Sequence, residues 1–164
     1  MGLFDFLKKE RNIKKSGIIY SPTNGEIKPI CETPDQMFAK KLIGDGAIIF
    51  NSDGNIIAPF DGKVKMLFPT KHAIGLESND GIEILIHYGI NTVELKGEGF
   101  RTYVKQGDII KTGNKLLVVD NALLESRGLI TCVIIAVTYP KDIKIEMLKN
   151  GIIQQKEEII QVIK

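Results

Sequence analysis

Residues 72–87 read His72-Ala73-Ile74-Gly75-Leu76-Glu77-Ser78-Asn79-Asp80-Gly81-Ile82-Glu83-Ile84-Leu85-Ile86-His87. Two Ile- and Leu-rich stretches flank Ser78-Asn79-Asp80-Gly81, the pattern of two antiparallel strands joined by a tight turn. With Asn79-Asp80 as the loop, His72 lies directly opposite His87. With Asp80-Gly81 as the loop, His87 faces Ile74, one diagonal step from His72. In either register the period of two puts both imidazoles on one face, with Cβ atoms roughly 4.5–8 Å apart. Ile74, Leu76 and Leu85 share that face in this reading, and Glu83 is its one charged member. The rings can touch.

The same signals extend outward from this hairpin. Glycine recurs about every 8–10 residues between positions 17 and 128, and the stretches between are rich in Ile and Val. Gly17–Tyr20, Gly25–Ile30, Ala47–Phe50, Asn55–Ala58, Lys63–Phe68, Ala73–Glu77, Ile82–His87, Asp108–Lys111, Lys115–Val119 and Leu129–Val137 read as short strands. Many short, evenly spaced strands specify an all-β sandwich or barrel. Helix signals are few. Thr33-Pro34-Asp35-Gln36 opens a single turn through Met37 and Phe38, and Asn121 caps Ala122–Arg127 with Gly128 closing it.

The chain has 164 residues, which suits one domain with a real core. No apolar run approaches the roughly 20 residues that span a bilayer. The apolar start Leu3–Leu7 is too short for a signal peptide, and the basic cluster follows it. The two cysteines, Cys31 and Cys132, lack metal-ligand spacing and read as reduced core thiols of a cytoplasmic protein.

A net charge of +2 conceals an asymmetry. Residues 1–15 carry five basic and two acidic side chains, and the rest carries 17 basic and 18 acidic. A nearly neutral body gives no nucleic-acid surface, which needs grouped basic residues. Residues 1–16 form a separate, flexible leader, in which Leu3, Phe4, Phe6 and Leu7 precede Lys8, Lys9, Arg11, Lys14 and Lys15. That is the composition of an interfacial anchor, making peripheral contact with the inner face of a membrane. Phe6 stands where a myristoylation motif needs Ser or Thr. Residues 17–164 form the single domain.

The chain has only two histidines, and both fall on the hairpin. Such a pair suits half of a zinc site, a general base with an orienting partner, or a nucleophile with an adjacent stabiliser. A catalytic zinc normally takes three protein ligands, and no third histidine exists; Glu77 and Asp35 are the carboxylates within consideration. There is no Gly-x-Ser-x-Gly elbow and no neighbouring thiol nucleophile. A nucleophilic imidazole remains, and the group it most readily carries is a phosphoryl.

The run Gly81-Ile82-Glu83-Ile84-Leu85-Ile86-His87-Tyr88-Gly89-Ile90-Asn91-Thr92-Val93-Glu94-Leu95 resembles the phosphorylation motif of the glucose-type IIA component of the bacterial phosphoenolpyruvate-dependent sugar phosphotransferase system. Met1-Gly2-Leu3-Phe4-Asp5, Ile43-Gly44-Asp45-Gly46, Ala58-Pro59-Phe60-Asp61-Gly62, Thr70-Lys71-His72-Ala73 and Lys96-Gly97-Glu98-Gly99-Phe100 extend the likeness over almost the whole chain. The resemblance implies a barrel-sandwich hybrid and a phosphocarrier that needs no cofactor. Nε2 of His87 takes the phosphoryl group from HPr and passes it to a cysteine of the IIB domain of a sugar permease. His72 hydrogen-bonds the phosphoryl oxygens, Thr70 sets the tautomer of His72, and Gly89 and Thr92 support the motif. Met37, Phe38, Ile43 and Phe68 form an apolar rim that excludes water and docks partners. Asp35 faces a basic patch on HPr, and Tyr88 and Asn91 belong to the docking surface. Family members also act as regulatory modules, and a partner's carboxylate can complete a zinc site on His72 and His87.

Tyr88 departs from the usual apolar residue, Asn91 stands where aspartate is common, and Pro69 is unfamiliar beside Thr70. Losing the aspartate charge weakens steering of HPr without touching the transfer chemistry, and Pro69 is expected to shift the strand bearing His72. Val104-Lys105-Gln106-Gly107-Asp108-Ile109-Ile110-Lys111-Thr112-Gly113 also resembles a biotinyl or lipoyl carrier domain, but no lysine follows in the required turn. A zinc metallopeptidase lacks its third ligand.

Overall fold

The computed structural model describes residues 17–163, so the leader at 1–16 lies outside the described residues. The architecture is mainly β and wholly antiparallel. Its strands are β1 (Ile18–Tyr20), β2 (Gly25–Pro29), β3 (Asp45–Phe50), β4 (Asn55–Ile57), β5 (Gly62–Leu67), β6 (Ala73–Ser78), β7 (Glu83–Tyr88), β8 (Phe100–Thr102), β9 (Ile109–Ile110), β10 (Lys115–Val119), β11 (Cys132–Tyr139), β12 (Lys144–Met147), β13 (Gly151–Ile153) and β14 (Glu158–Ile163). An eight-stranded sheet in the order β13-β2-β3-β11-β7-β6-β5-β9 packs against two three-stranded sheets, β1-β14-β12 and β4-β10-β8.

β11 explains the layering. Its residues Cys132–Val137 are all buried, a continuous apolar run rather than an alternation, because both of its faces are covered. Val133, Ile135 and Val137 join Ile84, Ile86 and Tyr88 of β7 in the main core, with Leu116, Leu117, Ile159 and Ile160 from the smaller sheets. Cys132, Ile134 and Ala136 point the other way, into a second core with Ile30, Phe38 and Ile48. Each buried Ile contributes on the order of 1.5–3 kcal/mol. The second core is capped by a 3-10 turn (Ile30–Glu32) and a one-turn helix α1 (Gln36–Ala39). Asp35 caps α1, its Oδ1 accepting from the Met37 amide at 2.9 Å.

The hairpin takes neither of the two registers expected from its sequence. Ala73 pairs with His87 and Glu77 with Glu83, so the loop is the three residues Asn79-Asp80-Gly81. Gly81 supplies the positive φ, +87°, that such a loop requires. One residue of slip changes the face. His87 shares its side of the sheet with Leu85 and Glu83, whereas Ile74 and Leu76 turn into the main core.

The other differences are local. Asp120, not Asn121, caps the second helix, α2 (Asn121–Ser126), through Oδ1 and the Leu123 amide. Cys31 is exposed rather than in the core, whereas Cys132 is buried; both are free thiols. β8 and β12–β14 escaped the sequence reading.

Candidate functional site

His87 stands on the outer face of β7, between Ala73 of β6 and Ile134 of β11. His72 precedes β6 and is delivered by a turn in which the Lys71 amide donates to the Phe68 carbonyl at 2.8 Å. Pro69 occupies the second position of that turn, where its fixed φ is favoured, so it shapes the approach to His72 instead of disturbing the strand. Lys71 is left-handed, φ 61°. This breaks the period-two alternation, so His72 reaches His87 even though the register alone would place neighbouring residues on opposite faces. The two ring centroids are 5.0 Å apart at 82°.

Phe38 meets His87 edge-on at 5.3 Å, and Phe68 meets His72 at 5.6 Å, so four rings form one row. Phe38 is buried and Phe68 and Ile43 are half-buried, whereas Met37 is 52% exposed. Leu42, outside the rim expected from the sequence, is 64% exposed next to Ile43. An apolar floor (Leu85, Ile90, Ile134) lies beneath.

Hydrogen bonds set the protonation. Nδ1 of His87 is 3.0 Å from the Gly89 carbonyl. A carbonyl only accepts, so Nδ1 carries the proton and the lone pair of the neutral ring sits on Nε2. Thr70 Oγ1 lies 2.6 Å from Nδ1 of His72. A hydroxyl that donates there leaves Nε2–H of His72 as a donor. Burial, then the charge of His72, lowers the His87 pKa to about 4, against smaller opposing effects from the Gly89 bond and Asp35. Burial also lowers that of His72. Both rings are therefore neutral at pH 7.

That shift has a consequence for stability. Between pH 6.5 and about 4 the unfolded chain binds a proton at His87 that the folded chain does not. The stabilisation is complete above pH 6.5 and is lost as pH falls through 4. At about 1.4 kcal/mol per pH unit the full change is roughly 3 kcal/mol. Denaturant melts of wild type and His87→Gln are expected to diverge by up to that amount between pH 7 and 4, with the wild type losing more. Parallel curves would contradict a neutral, partly buried His87.

Gly89 has φ +75°, and a Cβ there would lie 2.4 Å from Thr92 Cγ2. Its amide donates to the Cys132 carbonyl at 2.7 Å, and Thr92 Oγ1 donates to the Tyr88 carbonyl. Asn91 is exposed and left-handed, φ 60°, a conformation Asn tolerates well. Tyr88 does not belong to a docking surface. It is 0% exposed, because alternation turns it away from His87 into the main core. Lys65 bridges Glu77 and Glu83, and Lys63 also approaches Glu77, so these carboxylates on the His87 face are paired with lysines rather than open to a metal. Among the described residues no group of three or more His, Cys, Asp or Glu side chains is placed to hold a metal ion. None of the helices among those residues is long and apolar enough to cross a membrane.

Residues 17–143 match the family described as "phosphoenolpyruvate-dependent sugar phosphotransferase system, EIIA 1". The chain is 47% identical to the PTS system glucoside-specific EIICBA component of Staphylococcus carnosus (strain TM300), over 88% of this chain and 21% of that protein. It is 43% identical to the PTS system glucose-specific EIIA component of Oceanobacillus iheyensis, over 96% of both chains. It thus spans about a fifth of the EIICBA relatives but nearly the whole of an EIIA component. The solved glucose permease IIA from Mycoplasma capricolum superposes with a TM-score of 0.77 at 32% identity, covering 87% of this chain and 93% of that one. Two neutral imidazoles in contact on a β-sandwich, within a family match covering most of the chain, lead to one assignment: the chain belongs to the EIIA 1 family of the phosphoenolpyruvate-dependent sugar phosphotransferase system.

Proposed function

We propose that the chain carries a phosphoryl group on Nε2 of His87, received from phospho-HPr and passed to a cysteine of a IIB domain. The observation that carries this reading is the His87 Nδ1–H bond to the Gly89 carbonyl, which leaves the nucleophilic lone pair on Nε2. In the first step Nε2 attacks phosphorus as the N–P bond of the donor breaks, and the electron pair returns to the donor imidazole. In the second a thiolate attacks, the Nε2–P bond breaks, and His87 is again neutral. Transfer of this kind needs alignment and charge dispersal more than proton transfer. His72 supplies a hydrogen-bond donor to the phosphoryl oxygens, and Thr70 orients it. Met37, Phe38, Ile43 and Phe68 exclude water and meet the partners, with Asp35 and Asn91 at the edge. The names of the relatives suggest a glucose or glucoside permease. Zinc enters only with a further ligand from a partner, since the two imidazoles fill two of four tetrahedral positions. Incubation with phosphoenolpyruvate, enzyme I and HPr is expected to add one phosphoryl group by intact mass. No addition would refute the reading.

The phosphocarrier domain in this reading runs from residue 17 to 164. The family match ends at 143, yet β13 pairs with β2 and β14 with β1, so the last strands close the same fold. Residues 1–16 act as a surface anchor. Near an anionic leaflet each Lys or Arg contributes on the order of 1 kcal/mol. Deleting residues 1–15 is expected to leave phosphorylation by HPr unchanged and to slow transfer to a permease in anionic vesicles. High salt should abolish the difference. Equal rates for both proteins on those vesicles would reduce the leader to a tail without this role.

A further inference from the structure

The phenol of Tyr88 takes no part in the transfer chemistry, yet both imidazoles hang from its backbone. Its amide donates to the His72 carbonyl at 2.7 Å. Its own carbonyl accepts from Thr92 Oγ1, and the next carbonyl, that of Gly89, holds Nδ1–H of His87. On the opposite side of the sheet the hydroxyl donates to Asn121 Oδ1 at 2.6 Å, and Asn121 Nδ2 donates to the Ser52 carbonyl at 2.7 Å. Phe100 packs edge-on against the ring at 6.2 Å. We propose that Tyr88 is a positioning residue for the phosphoryl acceptor: the chain Tyr88–Asn121–Ser52 pins the Tyr88-Gly89 backbone, and so keeps the Gly89 carbonyl on His87. Burial raises the phenol pKa to about 12, so the hydroxyl remains a donor throughout the working range. Asn121 is free for this duty because Asp120 takes the helix cap.

The kinetic part rests on His87 being the acceptor, but the tautomer of His87 does not, and nitrogen-15 NMR of the imidazoles reads it directly. In Tyr88→Phe and in Asn121→Ala, the neutral His87 ring is expected to gain the tautomer protonated on Nε2. Turnover with phospho-HPr should fall about five- to tenfold, the factor expected from losing roughly one hydrogen bond's worth of alignment, with half-saturation by HPr unchanged. Ile160→Val, a core change in β14 remote from the site, serves as the destabilised control and should alter neither readout. Wild-type tautomer and rate in Tyr88→Phe or in Asn121→Ala would overturn the proposal, as would the same defect in the control. If wild-type protein accepts no phosphoryl group, the functional reading fails, and the tautomer alone still decides the role of Tyr88.

Discussion

His87→Ala is expected to accept no phosphoryl group from phospho-HPr, with intact mass unchanged after incubation long enough to saturate the wild type. The reason is geometric. His72 is the other imidazole, but it is 6% exposed and its Nδ1 is engaged by Thr70 Oγ1. It cannot swing into an in-line approach without breaking that bond and the Phe68 ring contact. Transfer demands reacting atoms about 3–3.5 Å apart and aligned, so a displaced second imidazole does not substitute. The variant should still fold, because His87 lies outside the main core, on the opposite face of the sheet against Phe38, and that core is untouched. Near-ultraviolet circular dichroism checks this. His87→Gln, which refills most of the volume, should be equally inert. Phosphate on His72 in either variant, or on His72 in the wild type, would reassign the acceptor.

The reach of the sequence is clearest at this pair. Period-two alternation and the turn residues brought the two histidines together, and the structure brings them into contact. The route differed. A three-residue loop shifted the register by one, and the left-handed Lys71 restored the contact by setting His72 outside the ladder. Local propensity does not report such compensation, because it depends on how a turn meets a strand. Tyr88 was a different case. The alternation that points His87 outward sends the next residue inward, so the burial of Tyr88 is legible in the sequence and outweighs the docking-surface expectation. The Tyr88–Asn121 bond spans 33 positions and was beyond local reading. At the C-terminus, Lys144–Met147 alternates charged and apolar residues and Asn150-Gly151 marks a turn, so β12–β14 left usable signals. Asp120 and Asn121 are both good caps, and only the demand of Tyr88 for a partner separates them.

His72→Gln is expected to divide the two half-reactions. Accepting a phosphoryl group requires Nε2 of His87 to be neutral and aimed, which the Gly89 carbonyl ensures without His72. A glutamine amide also offers one N–H to the incoming oxygens, so phosphorylation by HPr should remain within about threefold of wild type, the scale of one neutral hydrogen bond. Donation is different. As the Nε2–P bond breaks toward the incoming thiolate, its electron pair returns to the ring, which passes from cation to neutral, and the charge on the phosphoryl oxygens must be held by donors. An imidazole whose Nδ1 is held by Thr70 answers that charge by strengthening its aimed Nε2–H bond, and a glutamine amide has no such partner to hold and polarise it. Outright removal of an aimed donor costs about 10²–10³ in rate, and discharge by the glutamine variant is expected to slow by up to that factor. The measurement is direct: isolate the phosphorylated variant, mix it with a IIB domain, quench, and follow loss of the phosphoryl group by mass. A variant that discharges as fast as wild type would remove His72 from the transfer step. One that never charges would make His72 part of the acceptor itself. Thr70→Val should show a weaker form of the same division, since it leaves the imidazole in place but frees its tautomer.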